Sequence, residues 1–189
     1  MATTTQPSIK EIAIRFMAEV NQQSTNTLFS VLEQALKDGV VKLRLLMSSP
    51  GGSVFHGISA YNFIKGIPVE VDTYNFGSID SIAGVIYSAG KKRFSAPNAR
   101  FLVHSVSLNF GQAASLEEKK LKELMSGLAI DRENIAKIIA ENCNKTQADI
   151  EKIMLEGVTW SPEQAKEFGL VHEITSELVP SGMTMVGIG

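Results

Sequence analysis

The sequence has little of several features that would each point to a specialised class of protein. Its single cysteine, Cys143, rules out an internal disulfide, so nothing in the chain requires an oxidising compartment. A formal net charge of -2 gives the protein no basic face for nucleic acid. No apolar run is long enough to span a bilayer, and no signal peptide is visible. These absences predict a soluble, cytoplasmic protein with no nucleic-acid or membrane partner.

Histidine is also scarce, with residues at positions 56, 104 and 172 only. No pair of histidine, cysteine or carboxylate residues has the spacing of metal ligands, so we expect no metal site. The pair Gly51 and Gly52 lacks both the Walker lysine and the three-glycine dinucleotide pattern, so we expect no cofactor. His104 follows an apolar strand pattern that would fix its position, and it is therefore the best candidate for a general base. We expect His56 and His172 to be structural or solvent-facing.

Apolar patterns of strand and helix type alternate along the chain. Predicted strands cover 9–17, 40–47, 69–74, 93–94, 101–106 and 170–174. Predicted helices begin at Ser24 or Thr25 and then cover 54–65, 82–89, 113–141, 147–155 and 161–168, with Thr146 and Ser161 as the N-caps of the last two. This alternation predicts an α/β fold with mostly parallel strands, and without a linker we expect one domain over residues 1–189. The tail at 179–189 has no periodicity, and we expect it to be flexible.

Ser81 lies where a predicted strand turns into a buried helix, within the stretch 77–84. A hydroxyl at a helix N-terminus lies among unpaired N–H groups that favour developing negative charge. This position suits a nucleophile beside an oxyanion hole, and it suits an ordinary N-cap serine equally well. The pair Gly51 and Gly52 also has two interpretations. It allows main-chain amides to approach a ligand closely, and it is also typical of a tight loop between a strand and a helix.

Several motifs occur in the order in which they are found in the proteolytic subunit of the Clp protease, a self-compartmentalised serine peptidase. Together they resemble the core of that family: 49–54, 77–81, 89–94, 96–98, His104 and 160–170. The resemblance covers roughly residues 40–175, and the motifs are specific in combination although each alone is weak. It implies a crotonase-like stack of ββα units with a protruding handle helix at about 112–141.

The resemblance also implies roles for individual residues. Ser81 matches the nucleophile and His104 the general base, while the amides of Gly52 and Ile82 match the oxyanion-hole donors. These roles agree with the chemistry, because a serine hydroxyl needs a base to take its proton and donors to stabilise the tetrahedral oxyanion.

The sequence departs from the family pattern at three places. Gly157 occupies the position of the family's acid and is preceded by Glu156, so either Glu156 reaches His104 as the acid or the site is a Ser–His dyad. Asp80 stands where the family has a small residue, and its carboxylate would either cap the helix or oppose the oxyanion. Residues 105–112 lack the proline and glycine pair that is typical of the family's substrate-aligning strand.

The resemblance implies a serine-type endopeptidase that cleaves peptides or unfolded proteins inside an oligomeric chamber. Rings of seven subunits are expected, with stacking in pairs and an ATPase unfoldase as further expectations. Two alternatives stay open: a catalytically weakened or inactive Clp-type paralogue, and, less favoured, a crotonase-type acyl-CoA enzyme. An apolar stripe on the helix at 112–141 either joins subunits or folds back on its own domain. The stripe comprises Leu116, Leu121, Leu124, Met125, Leu128, Ile135, Ile138 and Ile139.

Overall fold

A computed structural model describes residues 10–107 and 117–189. The first half of this region contains the strands β1 (Glu11–Phe16), β2 (Lys42–Ser49), β3 (Glu70–Asp80), β4 (Arg93–Ser95) and β5 (Arg100–Val103), with the helices α1 (Gln22–Lys37), α2 (Val54–Gly66) and α3 (Ala83–Ser88) between them. The second half contains α4 (Glu118–Cys143), α5 (Gln147–Glu156), β6 (Val158–Trp160), α6 (Pro162–Phe168), β7 (Glu173–Ile174) and β8 (Met185–Ile188).

The eight strands form one sheet in the order β6-β5-β3-β2-β1-β8, with β4 pairing with β3 and β7 at the side. Only the pairing of β5 with β6 is antiparallel among these strands, which confirms the predicted α/β fold with mostly parallel pairing. The strand β2 is apolar along most of its length because it lies inside the sheet, with Leu43, Leu45 and Met47 almost fully buried.

Helix boundaries follow local capping chemistry. The helix α1 begins two or three residues earlier than predicted, because the Asn21 side chain caps it and Ser24 is the third helical residue of a capping box. Thr146 caps α5 and Ser161 caps α6, each in a capping box, as the sequence predicts. None of the helices in the described ranges has both the length and the apolar content that crossing a bilayer requires.

The strand β3 is longer than its sequence pattern predicts, because its two halves have different neighbours. Its first half pairs with β4 through residues 73–75, and its last three residues pair with β5. The register against β2 also shifts between Met47 and Ser49. The strand therefore continues beyond its predicted end at residue 74, and it ends directly before Ser81.

The C-terminal tail forms regular structure, in contrast to the flexible segment that we expected. β8 pairs in parallel with β1, from Ala13 opposite Met185 to Phe16 opposite Ile188, and Ile188 is buried. Main-chain hydrogen bonds to the edge of a sheet do not require a periodic side-chain pattern, so the composition of the tail gives no sign of this strand.

The two halves of α4 have different surroundings. Ile135, Ile139 and the last turns of the helix are buried in the main core, so this half of the apolar stripe follows the alternative in which the helix folds back on its own domain. Leu121, Met125 and Ile130 are exposed. The first residues of the predicted handle helix, 112–116, lie outside the described ranges.

The side chain of Arg93 is almost fully buried, and its guanidinium contacts the ends of three helices. Its guanidinium donates hydrogen bonds to main-chain carbonyl oxygens of Leu170 at 2.7 Å, Asn142 at 2.6 Å, Gly169 at 3.1 Å and Gly90 at 3.5 Å. These carbonyls lie at the C-terminal ends of α3, α4 and α6, where unpaired acceptors and the helix dipole favour a cation. Within residues 10–107 and 117–189 the guanidinium has no carboxylate partner, and several oriented dipoles stabilise its charge.

Replacing Arg93 with methionine leaves these carbonyls without a donor in a buried place. We expect Arg93→Met to lower the unfolding free energy by at least about 3 kcal/mol, which in a chain of this size is a fall of roughly 6 °C or more in the melting temperature. The exposed Arg15 provides the matched control, and Arg15→Met should change stability by less than about 0.5 kcal/mol. Equal melting curves for the two variants would contradict the structural role of Arg93.

Candidate active site

Ser81 lies in a strained turn between β3 and α3. Its φ of 57° is in the left-handed region, which residues other than glycine rarely adopt. The turn is held by main-chain hydrogen bonds from Ser81 N to Leu102 O at 2.8 Å and from Gly84 N to Ser81 O at 3.0 Å. Ile82 occupies the N-cap position of α3 and makes no side-chain cap, so Ser81 is not the N-cap residue of this helix. The geometry therefore favours the nucleophile interpretation over the capping interpretation.

The pair Gly51 and Gly52 packs directly against this turn. A Cβ atom at Gly51 would lie 2.7 Å from Asp80 O and 2.7 Å from Ser81 Cβ, and one at Gly52 would lie 2.3 Å from Val20 O. Hydrogen bonds from Val20 N to Gly51 O at 2.7 Å and from Ser53 N to Val20 O at 2.8 Å fix the loop from its other side. The loop can approach the serine this closely only because both residues are glycines with positive φ.

The amides of Gly52 and Ile82 have no main-chain or side-chain acceptor within residues 10–107 and 117–189. Both residues line one small cavity of about 70 Å³ together with Ser81 and His104. Two main-chain donors at one cavity beside a hydroxyl are the elements of an oxyanion hole. The structure thus brings together four of the five residues that the sequence nominates for the site.

His104 reaches this cavity because of the pairing of β5 with β3. Asp80 pairs with Leu102, so the turn at Ser81 and the end of β5 lie side by side. Nδ1 of the imidazole is 2.7 Å from the carbonyl oxygen of Ser105, the next residue in the chain. Ile135 and Ile139 of α4 also line the cavity. This role of α4 was not predicted from the sequence, although the apolar spacing of these isoleucines already indicates a buried helical face.

Glu156, the nominated acid, forms no ion pair with His104 in the described part of the chain. It ends α5 with a side chain that is 57% exposed, and its carboxylate lies 4.0 Å from the ammonium group of Lys152. The register of β5 and β6 ends where Val103 pairs with Val158, so His104 and Gly157 directly adjoin the last pair of these two strands. The position that matches the family's acid therefore lies at the same end of this strand pair as the histidine, but it has no side chain.

Asp80 is also kept out of the cavity. Its Oδ1 accepts a hydrogen bond from the Ser78 hydroxyl at 2.6 Å, and its Oδ2 is 2.7 Å from Nη2 of Arg100. The side chain is mostly buried, and the guanidinium of Arg100 balances its charge. Asp80 does not line the cavity, so its carboxylate neither caps α3 nor faces the place where an oxyanion would form.

The two other histidines lie elsewhere. His56 is in the first turn of α2, in edge contact with the ring of Phe55. His172 accepts a hydrogen bond at Nδ1 from the main-chain N–H of Arg93 at 3.0 Å, and burial lowers the pKa of its imidazole. No group of three or more possible metal ligands occurs in the described part of the chain.

Comparison with known proteins agrees with the motifs and the geometry. The family model for the Clp protease matches residues 2–177 of the chain. The chain is 30% identical over 171 residues to "ATP-dependent Clp protease proteolytic subunit 2" of Corynebacterium efficiens, which covers 88% of this chain and 84% of that relative. It is also 30% identical over 172 residues to proteolytic subunit 1 of Corynebacterium jeikeium, with 89% of each chain covered. The chain therefore belongs to the Clp protease family.

Proposed function

We propose that the protein is a serine-type endopeptidase that hydrolyses peptides or unfolded proteins inside an oligomeric chamber. The observation that supports this proposal is the cavity that Ser81, His104, Gly52 and Ile82 share. Four residues of the types that acyl transfer needs converge there from three separate parts of the chain. Membership of the Clp protease family supports the same reaction class.

In the proposed reaction, His104 takes the hydroxyl proton of Ser81 as the oxygen attacks the peptide carbonyl. The carbonyl oxygen becomes an oxyanion, which the amides of Gly52 and Ile82 stabilise by hydrogen bonding. Protonated His104 then gives its proton to the leaving amine, and an acyl-enzyme on Ser81 remains. Water, deprotonated by His104, hydrolyses this ester and restores both side chains.

The proposed site is a Ser–His dyad without a carboxylate partner. Glu156 is exposed, and Gly157 has no side chain, so neither supplies the acid of a triad. In a well-studied triad the loss of the acid costs several orders of magnitude in rate. This observation favours a second candidate function, a catalytically weakened paralogue with a role in assembly. A crotonase-type acyl-CoA enzyme is less favoured, because such enzymes do not use a Ser–His pair.

Assembly and partners are part of the proposal. The relatives are named as proteolytic subunits of an ATP-dependent protease. By analogy we propose a homo-oligomer of stacked seven-membered rings, to which an ATPase unfoldase delivers unfolded chains. The exposed apolar residues of the first half of α4 are consistent with a contact between subunits.

Labelling with a fluorophosphonate tests the nucleophile. We expect the reagent to modify Ser81 in the wild-type protein, because an activated serine beside an oxyanion hole attacks phosphorus. The Ser81→Ala variant should lose both the label and peptide hydrolysis while its melting temperature stays the same. The matched control is Ser88→Ala, which alters a serine on α3 outside the cavity. An unlabelled wild-type protein would favour the inactive paralogue, and labelling of Ser81→Ala would refute the assignment.

Neutralising Glu156 tests the dyad. We expect Glu156→Gln to change kcat less than about twofold, because surface charges of this kind contribute little to buried sites. Steady-state hydrolysis of a fluorogenic peptide measures this. A loss of tenfold or more, without a change in stability, would restore Glu156 as the acid of a triad.

A charge on the exposed face of α4 tests assembly. Met125 is 69% exposed, and in a subunit contact it would become buried. We expect Met125→Glu to shift the protein to smaller species, because burying an unpaired carboxylate is unfavourable. Asn134→Glu introduces the same charge on the same helix and should keep the wild-type mass. Light scattering measures both, and a wild-type mass near 20.5 kDa would contradict the ring.

A further inference from the structure

The imidazole of His104 has an orienting partner in its own loop, and this partner is a main-chain carbonyl group. Nδ1 of His104 lies 2.7 Å from the carbonyl oxygen of Ser105. A carbonyl oxygen accepts hydrogen bonds and cannot donate them, so Nδ1 must carry the hydrogen in this contact. In a neutral imidazole only one ring nitrogen is protonated. Nε2 is therefore left with a free lone pair.

We propose that the carbonyl of Ser105 acts in place of the triad acid, by holding His104 in the tautomer whose Nε2 can accept the proton of Ser81. The inference rests on the proposed peptidase function. A triad acid fixes the tautomer and orientation of the histidine and stabilises the imidazolium that forms. A neutral carbonyl can fix the tautomer and the orientation of the ring fully. It stabilises the imidazolium only through its dipole. Ser105 is thus a positioning residue, and it acts through its main chain.

The other groups near His104 do not provide an acceptor for Nδ1 in the described part of the chain. Among the described residues, no carboxylate lies within ion-pair distance of the imidazole. The nearby carboxylate of Asp80 is paired with Arg100. Gly157, which directly precedes the residue paired with Val103, offers no side chain. The partly buried ring nitrogen that carries a proton needs an acceptor, and the Ser105 carbonyl is the acceptor in contact with it.

His172 provides an internal reference, because its hydrogen bond requires the opposite imidazole tautomer. Its Nδ1 accepts a hydrogen bond from the main-chain N–H of Arg93 at 3.0 Å, so this nitrogen carries no hydrogen. Burial lowers the pKa of His172, which keeps its ring neutral, with the hydrogen on Nε2. The same protein should therefore contain both neutral tautomers, one at each histidine.

Nitrogen-15 NMR of the histidine rings tests the proposal. The full-length protein, labelled at histidine and sedimented for solid-state measurement, is studied at a pH about two units above the ordinary imidazole pKa of about 6.5. We expect His104 to have a protonated Nδ1 and an unprotonated Nε2, and His172 to have the reverse. The signal of His104 is assigned by its absence from the His104→Gln variant. A protonated Nε2 on neutral His104 would overturn the proposal.

A pair of variants at Gly157 tests the functional consequence. A Cβ atom at Gly157 would meet nothing within 4 Å, so the site has room for a side chain. Gly157→Asp adds a carboxylate at the position that matches the family's acid, and Gly157→Asn adds the same shape without the charge. Both residues tolerate the φ of 67° better than most, so backbone strain is matched. If the carbonyl already orients the ring, the carboxylate adds only its stabilisation of the imidazolium, and kcat for the two variants should differ by less than about a hundredfold, with similar KM.

A kcat for Gly157→Asp more than about a hundredfold above that of Gly157→Asn would approach the loss of about 10⁴-fold that a wrong tautomer causes in a triad, and it would overturn the proposal. Fluorophosphonate labelling separates this failure from failure of the proposed function. If Ser81 is labelled and Nε2 of His104 is protonated, the proposed role of the Ser105 carbonyl is wrong and the peptidase proposal stands. An unlabelled Ser81 removes the peptidase proposal, whereas the tautomer is still read directly from the spectrum.

Discussion

The candidate site depends on the close approach of two main-chain segments, the glycine loop after β2 and the turn after β3. A methyl group at Gly51 would lie within 2.7 Å of both Asp80 O and Ser81 Cβ, so any larger residue would force the two segments apart. Because they touch, the strained Ser81, the Gly52 amide and the Ile82 amide open into one cavity. Strain at such a turn persists only where the surrounding structure determines it, and here hydrogen bonds hold both sides.

The long helix α4 links the site to the outer surface of the protein. Its second half packs against the core, and Ile135 and Ile139 provide one wall of the cavity. The carbonyl of Asn142 at its end binds the guanidinium of Arg93, which also contacts carbonyls beyond α3 and α6. The wall of the cavity and the helix that follows Ser81 are thus fixed by the same buried cation. The first half of α4 leaves the core and exposes its apolar side chains.

The missing carboxylate bears on how active such a site is. A Ser–His pair needs the correct imidazole tautomer before it needs a counter-ion, because the wrong tautomer presents a proton to the serine and not a lone pair. A carbonyl group can set the tautomer, but it stabilises an imidazolium less than a carboxylate does. The proposed dyad is therefore consistent with slow hydrolysis. Such a rate is intermediate between the rates expected of an active peptidase and of an inactive paralogue.

The α/β class and the capping of α5 and α6 could be predicted from the sequence, and so could the candidate residues Gly52, Ser81, Ile82 and His104, because these depend on local patterns and on motifs with fixed spacing. Which side chains meet depends on the tertiary structure. The exposure of Glu156 at the end of α5 follows from the direction of that helix, and the pairing of Asp80 with Arg100 follows from the alignment of β3 with β5. The strand β8 and the Ser105 carbonyl contact both arise from main-chain groups. Every residue has those groups, so no side-chain pattern in the sequence indicates where they will bind.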